Sequence, residues 1–231
     1  LGSNESLFSG ERAFKYDAFF STDYGKKVFL LEKALMSYCL ENLRVSSVLE
    51  VGCGTFVWGD FWKEILKAEF IVGLDISYDM LKIARSKGFK RLILGSAENL
   101  PFKEKSFDVV AFITSLEFVK DKEAALMEAL KVVKRYLIVG YLNRKSLLAF
   151  KRKIKSLLWR TVYKEAHFLT EKEVKRLIEE NAKKLGKSVD LIRKGTTLNF
   201  STEKFVSFKL ENFLGFGFPF GGFGFLVFEV S

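Results

Sequence analysis

Ser47-Val48-Leu49-Glu50-Val51-Gly52-Cys53-Gly54 is the stretch whose reading decides the fold. A short apolar run that breaks on two glycines one residue apart reads as a buried strand ending in a tight turn, with a helix expected over 58–68. The next run, Phe70-Ile71-Val72-Gly73-Leu74-Asp75, is again strand-like and closes on a carboxylate. Ser77 is an N-cap candidate for a helix reaching Lys87. Strands are expected at 91–94, 107–113 and 136–141, with a helix from about 121 to 133 between the last two. Apolar strands alternating with helices predict a doubly wound α/β fold, mainly parallel and covered on both faces.

The flanks follow from the same patterning. Upstream, the first forty residues read as helical, with Phe29, Leu30, Lys33, Ala34, Ser37 and Leu40 near helical spacing. Downstream, Thr170-Glu171-Lys172-Glu173 is a capping box opening a helix to about Leu185, and Gly186 is the expected C-cap region. Residues 189–200 and 223–230 read as two final strands. One domain is expected over 1–231. It divides into an N-terminal cap (14–45), a core (47–143), a basic lid (144–168) and a C-terminal helix with the last two strands (170–231).

Composition narrows the function classes. The chain of 231 residues carries a net charge of +10, with 48% hydrophobic and 29% charged residues, so a core forms and wholesale disorder is excluded. The surplus is uneven. Residues 1–143 hold 20 basic and 19 acidic side chains, whereas 144–231 hold 18 and 9. Two cysteines, Cys39 and Cys53, and one histidine argue against a disulfide framework or a zinc site, and no metal is expected. No apolar run approaches the roughly 20 residues of a membrane span. The opening Leu1-Gly2-Ser3-Asn4 lacks a signal pattern, so a cytoplasmic location is expected.

The glycine turn and Asp75 form one motif. In a doubly wound sheet, ligands bind beyond the carboxyl ends of the strands, and glycine lets backbone approach them. A carboxylate about 20 residues past the glycines is placed to accept from both ribose hydroxyls of a nucleoside cofactor. Gly52-Cys53-Gly54-Thr55-Phe56-Val57 lacks the third glycine that a pyrophosphate site needs. Glu50 would sit badly against a pyrophosphate and well beside a cationic ammonium or sulfonium. That combination favours S-adenosylmethionine (SAM) over a dinucleotide.

The chain resembles the class I SAM-dependent methyltransferases, in particular the group called methyltransferase type 11. The resemblance is carried by Val48–Thr55, by Gly73-Leu74-Asp75-Ile76-Ser77 with Met80-Leu81 and Ala84-Arg85, by Gly95-Ser96-Ala97-Glu98-Asn99-Leu100-Pro101-Phe102, and by Ser106–Val110. Tyr16-Asp17-Ala18-Phe19-Phe20-Ser21-Thr22, with Gly25, resembles the family's N-terminal cap. It implies a Rossmann-like, seven-stranded methyltransferase fold. It also implies that Glu50, Gly52, Cys53 and Gly54 line the methionine end of SAM, and that Asp75 binds the ribose. Ile76 and Met80 would lie along the adenosine, Ser96 and Ala97 at the adenine edge, and Ile113 would offer a carbonyl to the SAM amino group. Tyr16 would close over the cofactor.

Three positions depart from the family pattern. Phe56 replaces a usual glycine, so a wider turn or an aromatic cover over the methionine tail is expected. Ser96 replaces the usual Asp, a weaker acceptor for the adenine amino group. Leu116-Glu117-Phe118 stands where many relatives carry a histidine pair, which removes that general base. Methyl transfer from a sulfonium needs mainly proximity, worth roughly 7–11 kcal/mol. A base helps where the acceptor loses a proton, and the candidates are Glu117, Tyr16 and His167. Glu117 has the alternative of capping the following helix.

Methyl transfer to a small-molecule acceptor, apolar or anionic, is the leading expectation. From Arg144 to Lys164 there are eight basic residues and no acid, interleaved with apolar ones. The segment reads as a lid helix, but it also suits RNA, protein or an anionic membrane surface as partner. A SAM-binding module without catalysis is the third alternative. The Gly-Phe stretch before Phe225 suggests a hairpin around Gly221-Gly222, and either an apolar pocket wall or a homodimer contact.

Overall fold

A computed structural model describes residues 7–149, 165–199, 211 and 214–231. The basic lid therefore lies mostly outside the described residues. Two helices, α1 (Glu11–Phe19) and α2 (Asp23–Cys39), precede the sheet. The core follows as β1 (Ser47–Val51), α3 (Gly59–Leu66), β2 (Phe70–Asp75), α4 (Tyr78–Ser86), β3 (Leu92–Leu94), β4 (Phe107–Ile113), α5 (Lys122–Val132) and β5 (Val133–Leu142). Next come α6 (Glu171–Lys184), β6 (Val189–Thr197) and β7 (Phe223–Val230).

The seven strands lie in the order β3-β2-β1-β4-β5-β7-β6. β1 to β5 pair in parallel, and β7 runs antiparallel between β5 and β6. The Rossmann-like methyltransferase fold expected from the sequence is the observed one. Winding reverses between β1 and β4, which puts the crevice of this open sheet at their carboxyl ends.

Strand alternation builds a core on each face. Val48, Val109, Ala111, Ile113, Phe223 and Phe225 join α2, α3 and α4 on one side. Leu49, Val51, Val110, Phe112, Leu226 and Phe228 join α5 and α6 on the other. Caps end the helices where their side chains allow. Thr22, Ser77 and Asp121 accept from Gly25, Met80 and Ala124 respectively, and Thr170 with Glu173 forms the expected capping box.

The helical reading of the leading segment holds. The buried face of α2 is Val28, Leu31, Glu32, Leu35, Met36 and Cys39, while Leu30 and Ala34 face solvent. One expectation from patterning is corrected: among the described residues no hairpin forms around Gly221-Gly222. β7 starts at Phe223 and pairs with β5 and β6, so its phenylalanines are core residues, and the glycines lie in the turn that precedes it. Among the described residues, no helix is long and apolar enough to cross a membrane.

Candidate cofactor and acceptor site

The turn after β1 folds back on the end of β2. The N–H groups of Gly52 and Cys53 donate to the Leu74 carbonyl at 2.7 and 3.0 Å. Gly54 N–H donates to Asp75 Oδ2 at 2.7 Å, and Ser77 N–H to Asp75 Oδ1 at 2.8 Å. Both carboxylate oxygens are thus fixed by backbone, and the carboxylate keeps acceptor capacity for a ligand. Burial pushes the Asp75 pKa up, with the N–H groups of Ser77, Gly54 and Ile76 pulling the other way.

Positive φ is required at Gly52 (69°) and Gly54 (56°). They differ in what a side chain would meet. A Cβ on Gly52 would lie 2.5 Å from Ser115 Cβ, whereas one on Gly54 would find Tyr16 Cε1 at an ordinary 3.5 Å. Gly52→Ala is expected to cost about 3 kcal/mol, combining left-handed backbone strain with overpacking. Gly54→Ala should cost about 1–2 kcal/mol from strain alone. Urea unfolding of the two variants checks that ranking.

Phe56 also has positive φ, at 56°. The expected aromatic cover over the methionine end is not observed. This backbone turns the ring into the core, 4.8 Å from Phe89, into space left by Gly59 and Gly73. The turn is not widened either, since Phe56 N–H bonds the Cys53 carbonyl at 2.9 Å.

Beneath the turn, Glu50 is 1% exposed and accepts from Trp62 Nε1–H at 2.6 Å. Burial pushes its pKa up to about 8, against the Trp62 hydrogen bond. Tyr16 lies over Gly54. Burial first, then the charges of Glu50, Glu32 and Asp75, hold its phenol pKa far above the usual value. Carboxylates from β1, β2 and α2 thus line the floor, and Glu32 was missed because a buried acid on an amphipathic helix has no sequence signature.

Rings make the roof. Phe118 meets Phe8 at 5.1 Å, Phe8 meets Tyr16 at 5.8 Å and Tyr16 meets Phe20 at 5.4 Å, all edge to face. Hydrogen bonds pin the leading segment: Ser77 Oγ–H to the Phe8 carbonyl at 2.6 Å, and Gly10 N–H to Asp79 Oδ2 at 2.6 Å. Asp17 joins α1 to the turn by accepting from Thr55 Oγ1–H at 2.6 Å and from Lys87.

On the β2–β3 side, Ile76 is 61% exposed and Met80 is buried beside Gly54. Ser96 and Ala97 are half-buried, and Ser96 Oγ–H donates to the Glu98 carboxylate. Ile113 ends β4. The next residue, Thr114, has φ of 49°, and Ser115 Oγ–H donates to the Val51 carbonyl at 2.7 Å.

The residues after β4 and β5 form the other half of the edge. Glu117 is fully buried, and its Oε1 accepts from Leu142 N–H. Burial pushes its pKa up to about 7. It does not cap the following helix, because Asp121 does. His167 is exposed, and its backbone N–H donates to the Glu117 carbonyl at 3.0 Å. Asn143 Nδ2 bridges the carbonyls of Pro219 and Gly221, each at 3.0 Å, and so ties β5 to the turn before β7.

This donor and acceptor set fits a nucleoside with a cationic amino-acid tail. The glycines leave a cradle, Asp75 keeps acceptor capacity, and the floor around Glu50 is acidic. A methyltransferase domain family model matches residues 49–138, the span that contains the glycine turn, Asp75 and β4.

Residues 49–138 thus match a methyltransferase domain family, and the fold is similar to that of a SAM-dependent methyltransferase.

The domain is similar along its length to the crystal structure of a SAM-dependent methyltransferase from Thermotoga maritima, described as a possible histamine N-methyltransferase. That likeness has a TM-score of 0.68 at 27% identity, and covers 96% of this chain and 97% of that one. An uncharacterised protein of Methanocaldococcus jannaschii is 38% identical over 137 residues, covering 57% of this chain and 62% of the relative. Demethylmenaquinone methyltransferase of Listeria monocytogenes is 38% identical over 96 residues, 38% of this chain and 40% of that protein. The chain therefore matches less than two thirds of the length of these curated relatives.

Proposed function

We propose that the chain transfers a methyl group from SAM to a small-molecule acceptor. The carrying observation is the paired arrangement of Asp75, held open by the N–H groups of Gly54 and Ser77, and Glu50 buried beneath the same turn. When bound, SAM supplies an activated methyl on a sulfonium. Asp75 accepts from the ribose hydroxyls, and Glu50, through its charge, holds the cationic methionine end over Gly52, Cys53 and Gly54. Ile76, Met80, Ser96 and Ala97 border the adenosine, and the Ile113 carbonyl takes the amino group. Tyr16 and its neighbouring rings keep water from the cleft.

A small acceptor is supported by two similar proteins, one named for demethylmenaquinone and the other described as possibly acting on histamine. Isothermal titration with SAM and S-adenosylhomocysteine (SAH) tests the reading. Both should bind with micromolar affinity, and no heat from either at millimolar concentration would overturn it. The basic residues of 144–164 lie mostly outside the described residues, and they carry no second reading.

A further inference from the structure

Among the described residues, three acceptor oxygens at the carboxyl edge lack a donor. Glu117 Oε2, Asn199 Oδ1 and Glu211 Oε1 are buried without a partner, on residues 0%, 2% and 5% exposed. Glu117 Oε1 is already taken by Leu142 N–H. Glu211 Oε2 accepts from Asn199 Nδ2–H at 2.9 Å and from Thr197 Oγ1–H at 3.1 Å. Strand register sets these groups along one row, because Leu142 pairs with Phe223 and Phe223 with Thr197. Leu142 N–H points away from β7, since the Asn143 N–H goes to Gly222, so three strand spacings, about 15 Å, separate Glu117 from Thr197. Lys122, whose charge acts on Glu117, directs its Nζ to the Val119 carbonyl at 2.8 Å. Each unmet buried acceptor costs about 1–3 kcal/mol, so three on the edge beside the cofactor turn call for a ligand rich in donors.

We infer that this row recognises a small amine as the methyl acceptor, with Glu117 receiving its proton. The inference rests on the methyl-transfer reading above and departs from the anionic acceptor suggested by the basic segment. Sites that only accept hydrogen bonds are complementary to N–H groups, and their negative charge to an ammonium. A carboxylate or phosphate would bring further acceptors and like charge. In the transfer, the nitrogen lone pair forms the N–C bond as the methyl carbon's bond to sulfur breaks, its electron pair staying on sulfur. The Glu117 carboxylate first takes a proton from the bound ammonium, which frees that lone pair, and the methylated nitrogen leaves as an ammonium. Burial places that carboxyl's pKa at about 7, which suits a group that takes up and releases a proton near neutrality. Glu211 and Asn199 meet further donors only on an amine long enough to span the row.

The test uses the full chain saturated with SAH, titrated with three matched probes: phenethylamine, 2-phenylethanol and 3-phenylpropionate. The amine should bind at least about tenfold more tightly than the other two. Glu117→Gln should weaken the amine about tenfold while leaving SAH affinity unchanged. With SAM, Glu117→Gln should lower kcat more than it raises KM for the amine. SAH binding without an amine preference, or with preference for the carboxylate, overturns this inference and leaves methyl transfer standing. So does a Glu117→Gln variant that keeps wild-type affinity for the amine. Failure to bind SAH removes both readings. The probe ranking needs only the unmodified protein, so a variant that fails to fold does not spare the inference.

Discussion

Asp75→Ala is expected to weaken SAM binding by about 10²–10⁴-fold, the largest effect of any single substitution in the cleft. Two charge-assisted hydrogen bonds to the ribose are lost, each worth roughly 1.5–3 kcal/mol. The substitution also strands the N–H groups of Gly54 and Ser77, which point at the carboxylate from the glycine turn and from the start of α4. Cradle and ribose contact therefore fail together. Asp75→Asn should fall between, since one amide oxygen still accepts while the NH₂ faces a backbone donor. Calorimetry separates the cases: Asp75→Ala with wild-type affinity would show that the carboxylate has no part in cofactor binding.

The second large effect is a dependence of SAM affinity on pH, set by Glu50. Its pKa stands at about 8 in the fold because burial outweighs the Trp62 hydrogen bond. A cationic ligand requires the ionised form. Below pH 8 binding must therefore release a proton, and affinity should rise toward pH 8 by up to about tenfold per unit, then level off. The heat of binding at pH 7 should vary with the ionisation enthalpy of the buffer. Glu50→Gln should flatten the profile and weaken binding at pH 8 by about 10–100-fold.

Stability should change in the opposite sense. Between about pH 4.5 and 8 the folded protein holds a proton on Glu50 that the unfolded chain has released, so Glu50 lowers stability as pH rises through that window. Glu50→Gln keeps an acceptor for Trp62 without the charge, and should be more stable than wild type at pH 8.5 than the same comparison shows at pH 5. Urea unfolding at the two pH values measures that difference. A difference that fails to grow with rising pH would mean that Glu50 is ionised within the fold.

Much of this was legible in local sequence. Gly52 and Gly54 mark a turn needing positive φ, and the observed values are 69° and 56°. Asp75 was placed by its position at the end of a continuous apolar strand, and Ser77, Asp121 and Thr170 by their capping chemistry. Each is a signal carried within a few residues. Phe56 shows where that reading fails. Its position in the motif suggested a cover over the ligand, but the side on which its ring packs depends, beyond nearby Gly59, on Gly73 and Phe89, far along the chain or on another strand.

The charge asymmetry has a parallel limit. The chain is basic by +10, yet the groups gathered at the carboxyl edge are acids: Glu32, Glu50, Asp75, Glu117 and Glu211 are all buried. Composition counts charges and is blind to which of them a fold takes out of water.

By itself, the sequence determined the strand and helix order, the glycine turn, the carboxylate that ends β2 and the cofactor class, because these depend on periodicity and short-range backbone chemistry. Only the tertiary structure decided that Trp62 holds Glu50, that Phe8 and Phe118 roof the cleft, and that Glu117, Asn199 and Glu211 share one row with free acceptors. The physical reason is sequence separation. Those groups meet through strand register and helix packing between distant segments, and both burial and an unmet hydrogen bond exist only once the chain has closed around them.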